Sequence, residues 1–229
     1  MRPQYVEITP VLGELVWEES PSDELLSWQL GYLAQLESEF ADQLLEIRQG
    51  FTRISLHWKQ QEFQKEFKIS LPELSIAPHS LPEKIWEVPV CYEGPFTPDL
   101  LKIAELKNLT PSQIIQLHSS PRYRIHFFGF LPGFFYLNGL PKELHTPRKA
   151  VPSLSVPKGS VAIGGAQTGI YPNQSPGGWH LIGQTPISLF EPSLDPPVWA
   201  KVGEQIKFNP ISLKEFEQWS EPLFHFKKP

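Results

Sequence analysis

Residues 129–137 read GFLPGFFYL and residues 156–179 read VPKGSVAIGGAQTGIYPNQSPGGW, and the punctuation of these two stretches decides the fold of the second half of the chain. Short apolar runs are cut by Gly and Pro too often to sustain a helix, and they suit brief strands joined by ordered turns. The pattern continues through WHLIG at 179–183 and ISLF at 187–190. Just upstream, Tyr123, Ile125 and Phe127 alternate with Arg122, Arg124 and His126, which predicts a half-buried strand from Arg122 to Phe128. The expected result is a mainly-β barrel or sandwich with long ordered loops. Two helix starts of one type precede it. Thr97-Pro98 and Thr110-Pro111, the latter with Gln113 at the capping-box position, predict short helices from Pro98 to about Lys107 and from Pro111 to about His118.

The first half is punctuated differently. Residues 22–70 contain no proline. Ser20, Pro21 and Asp23 fit an N-cap, a first-turn proline and an early acid, and Leu26, Leu30, Leu33, Leu36 and Phe40 follow as one amphipathic stripe. LLEIRQGFTRISLHW at 44–58 reads as two strands around Gln49-Gly50, and a second helical stretch runs from about Gln61 to Phe67. These elements predict a small α+β domain over residues 1–75. The next stretch carries prolines at 78, 82 and 89 without sustained periodicity, so residues 76–89 read as a linker and 90–229 as the β-barrel domain.

Composition narrows the function classes. One Cys in 229 residues forbids an internal disulfide, and 20 basic against 25 acidic residues leave no electrostatic footprint for nucleic acid or anionic lipid. The opening MRPQYVEITPVLGELVWEE mixes polar and acidic residues throughout, so neither a signal peptide nor a membrane span is expected and the chain reads as cytoplasmic. The outlier is proline: 25 residues, roughly twice the usual ~5%.

Most catalytic signatures are missing. GGAQTG at 164–169 has the glycine spacing of a phosphate loop, but Ile170 and Tyr171 stand where Lys and Ser/Thr are needed. Its Ala166 also breaks the dinucleotide fingerprint. No Gly-x-Ser-x-Gly is present, and the seven His residues lack the spacing or Cys partners of a zinc site, so no metal is expected. Three segments could form a binding site. Phe130, Phe134, Phe135 and Tyr136 offer apolar faces beside a Gly/Pro-fixed backbone; Arg148 of HTPR could hold a carboxylate by its planar fork; Gly177 and Gly178 let backbone approach a ligand, with Gln167, Tyr171 and Trp179 as an amide reader and aromatic walls. The same residues also fit plainer roles as core filling, a solvated Arg and tight turns.

The run from Gly129 to Pro192, together with VPVCYEG, PDL and LHSS upstream, resembles the carboxyltransferase-type domain subunit 1 family. The likeness is close from about Trp86 to Pro210 and extends to the first half only in layout. Members of that family include the B subunit of bacterial 5-oxoprolinase, the KipI inhibitor of a sporulation histidine kinase, and the subunit-1 segment of urea amidolyase and allophanate hydrolase. The resemblance implies a small α/β domain followed by a cyclophilin-like β-barrel. HTPR favours the oxoprolinase activity, the ATP-dependent opening of 5-oxoproline to L-glutamate, carried out in complex with the C subunit of that enzyme and with its A subunit. ATP would then be bound by the assembled complex, and the lone chain would be inactive. In that setting Arg148 pairs with the substrate carboxylate, Gln167 reads the lactam, and Phe130, Tyr171 and Trp179 exclude water. His118 and His145 are the candidate proton exchangers near pH 7. A KipI-like protein binding a sensor histidine kinase, or part of an allophanate hydrolase or urea amidolyase, is the alternative. Peptidyl-prolyl isomerisation rests on the fold alone. The sequence departs from the family pattern at Ser153, where many members have Arg, and at Glu93 and Thr97, which replace glycines; Thr97 remains a competent N-cap.

Overall fold

The computed structural model describes residues 1–220 and divides into two compact units, residues 1–82 and residues from 83 onward. The last nine residues of the barrel domain expected at 90–229 lie outside the described residues. No helix among the described residues is long and apolar enough to cross a membrane.

The first unit runs β1 (Gln4–Thr9), β2 (Leu12–Val16), α1 (Asp23–Glu39), β3 (Leu44–Gln49), β4 (Arg53–Trp58) and α2 (Gln61–Ser70). Its four strands form one antiparallel sheet in the order β1-β2-β4-β3. The sequence pattern shows β3, β4 and both helices but not β1 or β2, whose alternation is masked by charged residues and a turn at the Thr9–Leu12 junction. Helix α1 starts two residues later than expected: Ser22, not Ser20, is its N-cap, accepting the Leu25 N–H at 3.1 Å. Its buried face is also rotated. Leu25, Tyr32 and Leu36 pack with Leu15, Trp17, Ile54, Leu56, Trp58 and Phe67, whereas Leu30 and Leu33 are only half-buried. The rotation follows from two polar and steric demands. Gln29, fully buried, donates to the Gly50 and Phe51 carbonyls and pins the β3–β4 turn. Gly31 lets the Ala77 carbonyl cross the helix, at a point where a Cβ would lie 2.1 Å from that oxygen.

The expected linker therefore divides between the two units. Residues 76–79 lie along α1, with the His79 N–H donating to the Ser27 carbonyl at 2.9 Å. Residues 85–89 belong to the first barrel strand, β5 (Ile85–Cys91). Pro89 is accommodated there because β12 meets β5 only at Cys91, leaving most of that side of the strand without a ladder to interrupt.

After β5 come α3 (Leu100–Lys107), α4 (Pro111–Ser119), β6 (Tyr123–Phe128), β7 (Phe135–Asn138), β8 (Ser153–Val156), β9 (Ser160–Gly164), β10 (Gln167–Ile170), β11 (Ser175–Gly177), β12 (His180–Gln184), β13 (Gln205–Ile211) and the short α5 (Leu213–Glu217). Seven of the strands close into a barrel in the order β10-β7-β6-β13-β5-β12-β9, while β8 and β11 pair as a separate ribbon. Among the described residues only the β5–β13 pair is parallel. Val88, Val90, Tyr123, Ile125, Phe135, Leu137, Ile163, Ile182, Ile206 and Phe208 fill the main core, joined by Leu100, Ile103 and Ala104 of α3 and Ile114 of α4. Helix α4 carries the full Thr110/Gln113 capping box. Helix α3 begins at Leu100 rather than Pro98, because Thr97 hydrogen-bonds back to the Gly94 carbonyl and so does not cap it.

The glycines of GGAQTG serve a hairpin. Gly164 pairs with Gln167 across a two-residue turn, and Gly165 adopts φ +66°. A Cβ on Gly164 would lie 2.4 Å from the Trp179 ring, whereas one on Gly165 would meet nothing within 4 Å. Gly164→Ala should therefore lower barrel stability by ~1–3 kcal/mol through overpacking. Gly165→Asn, which tolerates the left-handed region, should cost under ~1 kcal/mol. Urea denaturation followed by tryptophan fluorescence checks the contrast, and equal losses would refute it.

Candidate functional site

Strands β7, β10, β9 and β12 are neighbours in the barrel wall, and their side chains divide between two apolar clusters. On β9, Val161 and Ile163 face the main core while Ala162 faces the second cluster; Ile182 and Leu181 divide likewise on β12, and Phe135 and Tyr136 on β7. This stretch of wall is thus buried on both faces. The second cluster is built on Phe134, Val156, Ala162, Tyr171, Trp179 and Leu181. Three of these, Phe134, Tyr171 and Trp179, also line a surface pocket of about 300 Å³.

Phe134 is its hub. Its ring meets Phe130, Tyr136, Tyr171 and Trp179 edge-on, at centroid distances of 5.6, 5.0, 5.6 and 5.6 Å. Phe130 stands at the rim with φ +70° and 60% exposure, held by the turn in which Gly129 N–H bonds the Phe134 carbonyl. Gly177 admits the Tyr171 hydroxyl, which a Cβ there would meet at 2.3 Å. The exposed Arg148 guanidinium lies 5.8 Å from the centroid of the Trp179 ring, within cation–π range. Beside it, Lys149 is ion-paired to Asp99 at 2.6 Å.

The two phenols are donors here. Burial pushes Tyr171 up, opposed by a hydrogen bond from the Trp179 backbone and by the Arg148 charge. Tyr136 is likewise raised by burial, with Arg148 opposing. Both remain protonated at neutral pH. The pocket therefore offers a guanidinium and phenolic O–H groups between aromatic walls, a set suited to a small anion with an apolar or planar body.

Six of the residues predicted for the site line this pocket: Phe130, Arg148, Tyr171, Gly177, Gly178 and Trp179. Three do not. Gln167 opens β10 opposite Gly164, away from the lining. His145 holds its own turn, with Nε2 at 3.0 Å from the Leu140 carbonyl, and its carbonyl accepts from Lys107. His118 is fully buried under the main core, stacked on Phe208 at 4.7 Å. Its Nδ1 lies 2.8 Å from the Tyr92 hydroxyl and its Nε2 2.8 Å from Thr168 Oγ1. Thr168 donates its own proton to the Ala162 carbonyl, so Nε2 carries the histidine proton and Nδ1 accepts from Tyr92. Burial pushes the His118 pKa down to about 3, which corrects the expectation of proton exchange near pH 7. Tyr136, Lys149, Pro152 and Pro176 complete the lining along with Phe134. The signal for Tyr136 in the sequence is its place as the alternate-face neighbour of Phe135; for Lys149 it is only the adjacency to Arg148.

The family model for the carboxyltransferase domain, subdomain C and D, matches residues 11–200. The chain belongs to this family. Within it, 138 residues are 45% identical to the B subunit of 5-oxoprolinase from Bacillus subtilis (strain 168), covering 60% of this chain and 58% of that protein. The corresponding protein of Escherichia coli O157:H7 is 52% identical over 124 residues, 54% of this chain and 57% of that protein. The matched region thus spans little more than half of these curated relatives. Among solved structures, TTHA0988 superposes with a TM-score of 0.75 at 29% identity, over 88% of this chain and 40% of that one. The K. lactis urea amidolyase superposes with a TM-score of 0.76 at 17% identity, over 93% of this chain and 15% of that one, a likeness of fold alone.

The buried His118 has a stability signature. Its folded pKa lies below the ordinary value of 6.5, so the unfolded chain takes up a proton that the native barrel refuses. Stability contributed by the neutral ring is complete above about pH 6.5 and declines as pH falls toward about 3. The slope is at most ~1.4 kcal/mol per pH unit from this one group. His118→Gln, which keeps a donor and an acceptor, should flatten that part of the pH dependence of the urea midpoint; an unchanged slope would contradict the assignment.

Proposed function

We propose that the chain is the B subunit of a 5-oxoprolinase, opening 5-oxoproline to L-glutamate with ATP, and that the pocket on the barrel wall binds the substrate. The observation that supports this most directly is the placement of Arg148 across from phenolic donors in an aromatic pocket of about 300 Å³. 5-Oxoproline presents a carboxylate, a lactam and a small puckered ring. Arg148 takes the carboxylate, and Phe130, Phe134 and Trp179 flank the ring and keep water away. The Tyr136 and Tyr171 hydroxyls, rather than the amide of Gln167, donate to the lactam oxygen, on which negative charge gathers as the ring is attacked. Gly177 and Gly178 leave the backbone accessible beside that oxygen.

The relatives named as the B subunit of 5-oxoprolinase carry the reading beyond the pocket. It places the chain in a hetero-oligomer with the enzyme's C subunit, and alongside its A subunit, in the cytoplasm. The barrel is read as cyclophilin-like. The residues of this chain do not fit a nucleotide phosphate at 164–169, where the glycines form a hairpin turn and Ile170 rather than Lys comes next. ATP is accordingly assigned to the assembled complex, and no step is drawn through it.

Arg148→Ala in the reconstituted enzyme should raise KM for 5-oxoproline by about a hundredfold, with a smaller effect on kcat, because the carboxylate is bound equally in ground and transition states. Glutamate release under saturating ATP measures it. Unchanged kinetics would remove Arg148 from the site, and absence of glutamate from the wild-type assembly would remove the function.

A further inference from the structure

Arg148 lies in a stretch without regular secondary structure, its guanidinium exposed, yet the peptide units on both sides of it are fixed. On one side, His180 Nε2 donates to the Pro147 carbonyl at 2.9 Å. On the other, the Lys149 N–H donates to the Gly178 carbonyl at 2.7 Å. The Lys149 ammonium then reaches Asp99 Oδ2 at 2.6 Å and Ser153 Oγ at 3.3 Å. Asp99 is itself held to β12: its Oδ2 accepts the Leu181 N–H at 2.8 Å, and its own N–H donates to the Leu181 carbonyl at 3.1 Å. Lys149 and Asp99 expose only 16% and 14% of their side chains. Separating two charges so placed leaves each poorly solvated and unpaired, so the pair resists opening.

We infer that Asp99 and His180, neither of which lines the pocket, are positioning residues that hold Arg148 at the pocket, and that Lys149 is the strut joining Asp99 to its loop rather than a second ligand-binding cation. Two adjacent cations in one pocket would otherwise read as a double anion clamp. The ion pair assigns them different work: Lys149 is neutralised by Asp99, whereas Arg148 makes no ion pair among the described residues and is left for an incoming carboxylate. The loop is thereby tied to β12 through Leu181 and His180, the same strand whose Leu181 side chain packs in one cluster with the pocket residues Phe134, Tyr171 and Trp179. Recognition of charge and packing of the walls share one support.

The inference rests on Arg148 being the carboxylate anchor, and its test separates the two. Asp99→Asn keeps an oxygen for the Leu181 N–H and removes the charge. It should weaken 5-oxoproline binding about tenfold while leaving the uncharged ring 2-pyrrolidinone within about twofold, both by calorimetric titration. Lys149→Met should match it, and the double variant should be no weaker than either single one, since one link is being cut twice. His180→Leu should show the same selective loss, which His180→Gln, with a donor for Pro147, should restore. Hydrogen–deuterium exchange gives a readout without ligand: amides from 148 to 150 should exchange about tenfold faster in Asp99→Asn, with β9 unchanged. An equal change in affinity for both probes in Asp99→Asn relative to wild type, multiplying losses in the double variant, or unaltered exchange would overturn the strut. Failure of the wild-type chain to bind 5-oxoproline would instead sink the proposed function, and the exchange comparison would still decide the strut.

Discussion

The arc of four strands, β7, β10, β9 and β12, has to satisfy two apolar clusters at once, and most other features of the barrel unit follow from that demand. A strand with one face in water can place polar residues at every second position. These strands cannot, and they read as short unbroken apolar runs such as VAI at 161–163 and LI at 181–182. Because the inner face is filled by Phe135, Ile163, Ile182 and Phe208, the barrel interior is a packed core rather than a ligand cavity. The outer face is only partly roofed, by the 129–134 turn, the HTPR loop and the β8–β11 ribbon, and the gap between these covers is the pocket.

The chemistry of that gap is one-sided. It contains cations and protonated phenols, and its lining includes no carboxylate or imidazole among the described residues. Such a site is good at holding and polarising an anionic or carbonyl-bearing molecule and poor at taking a proton from one. The one carboxylate tied to its loop, Asp99, is occupied by Lys149 and by the Leu181 N–H. The buried imidazole, His118, is committed to a chain of hydrogen bonds running from Tyr92 to the Ala162 carbonyl. The polar groups nearest in sequence to the site motifs are therefore framework, and the ligand-facing groups are those an apolar reading already selects.

How much of this is legible in the sequence depends on whether local or distant residues set each feature. The Thr110–Gln113 capping box and the β3–β4 hairpin are decided by neighbours along the chain, and both read directly. So does the group Phe130, Arg148, Tyr171, Gly177, Gly178 and Trp179, because Gly and Pro mark where backbone must bend to bring such residues together. The failures involve partners far away in sequence. His118 reads as a free helix-end imidazole; its burial depends on Tyr92, Thr168 and Phe208, which no local pattern announces. Pro89 reads as linker, and its place in a strand depends on how little of β5 pairs with β12. Ser22 displaces Ser20 as a cap because Gln29 and Gly31 fix the rotation of α1 against the β3–β4 turn and residue 77. Lys149 carries no signal that its charge is already matched by an aspartate about fifty positions upstream.

The two-faced wall has a consequence for how this site can change. Along β7, residues 135 and 137 belong to the framework and residue 136 to the pocket lining; on β9 and β12, residues 162 and 181 belong to the cluster that carries the pocket's aromatic walls, and 161, 163 and 182 to the framework. Ligand-facing and fold-bearing positions are interleaved along the chain yet separated by the thickness of one sheet. The barrel can thus keep one interior while its exterior is recut for acids of other sizes, one alternate residue at a time.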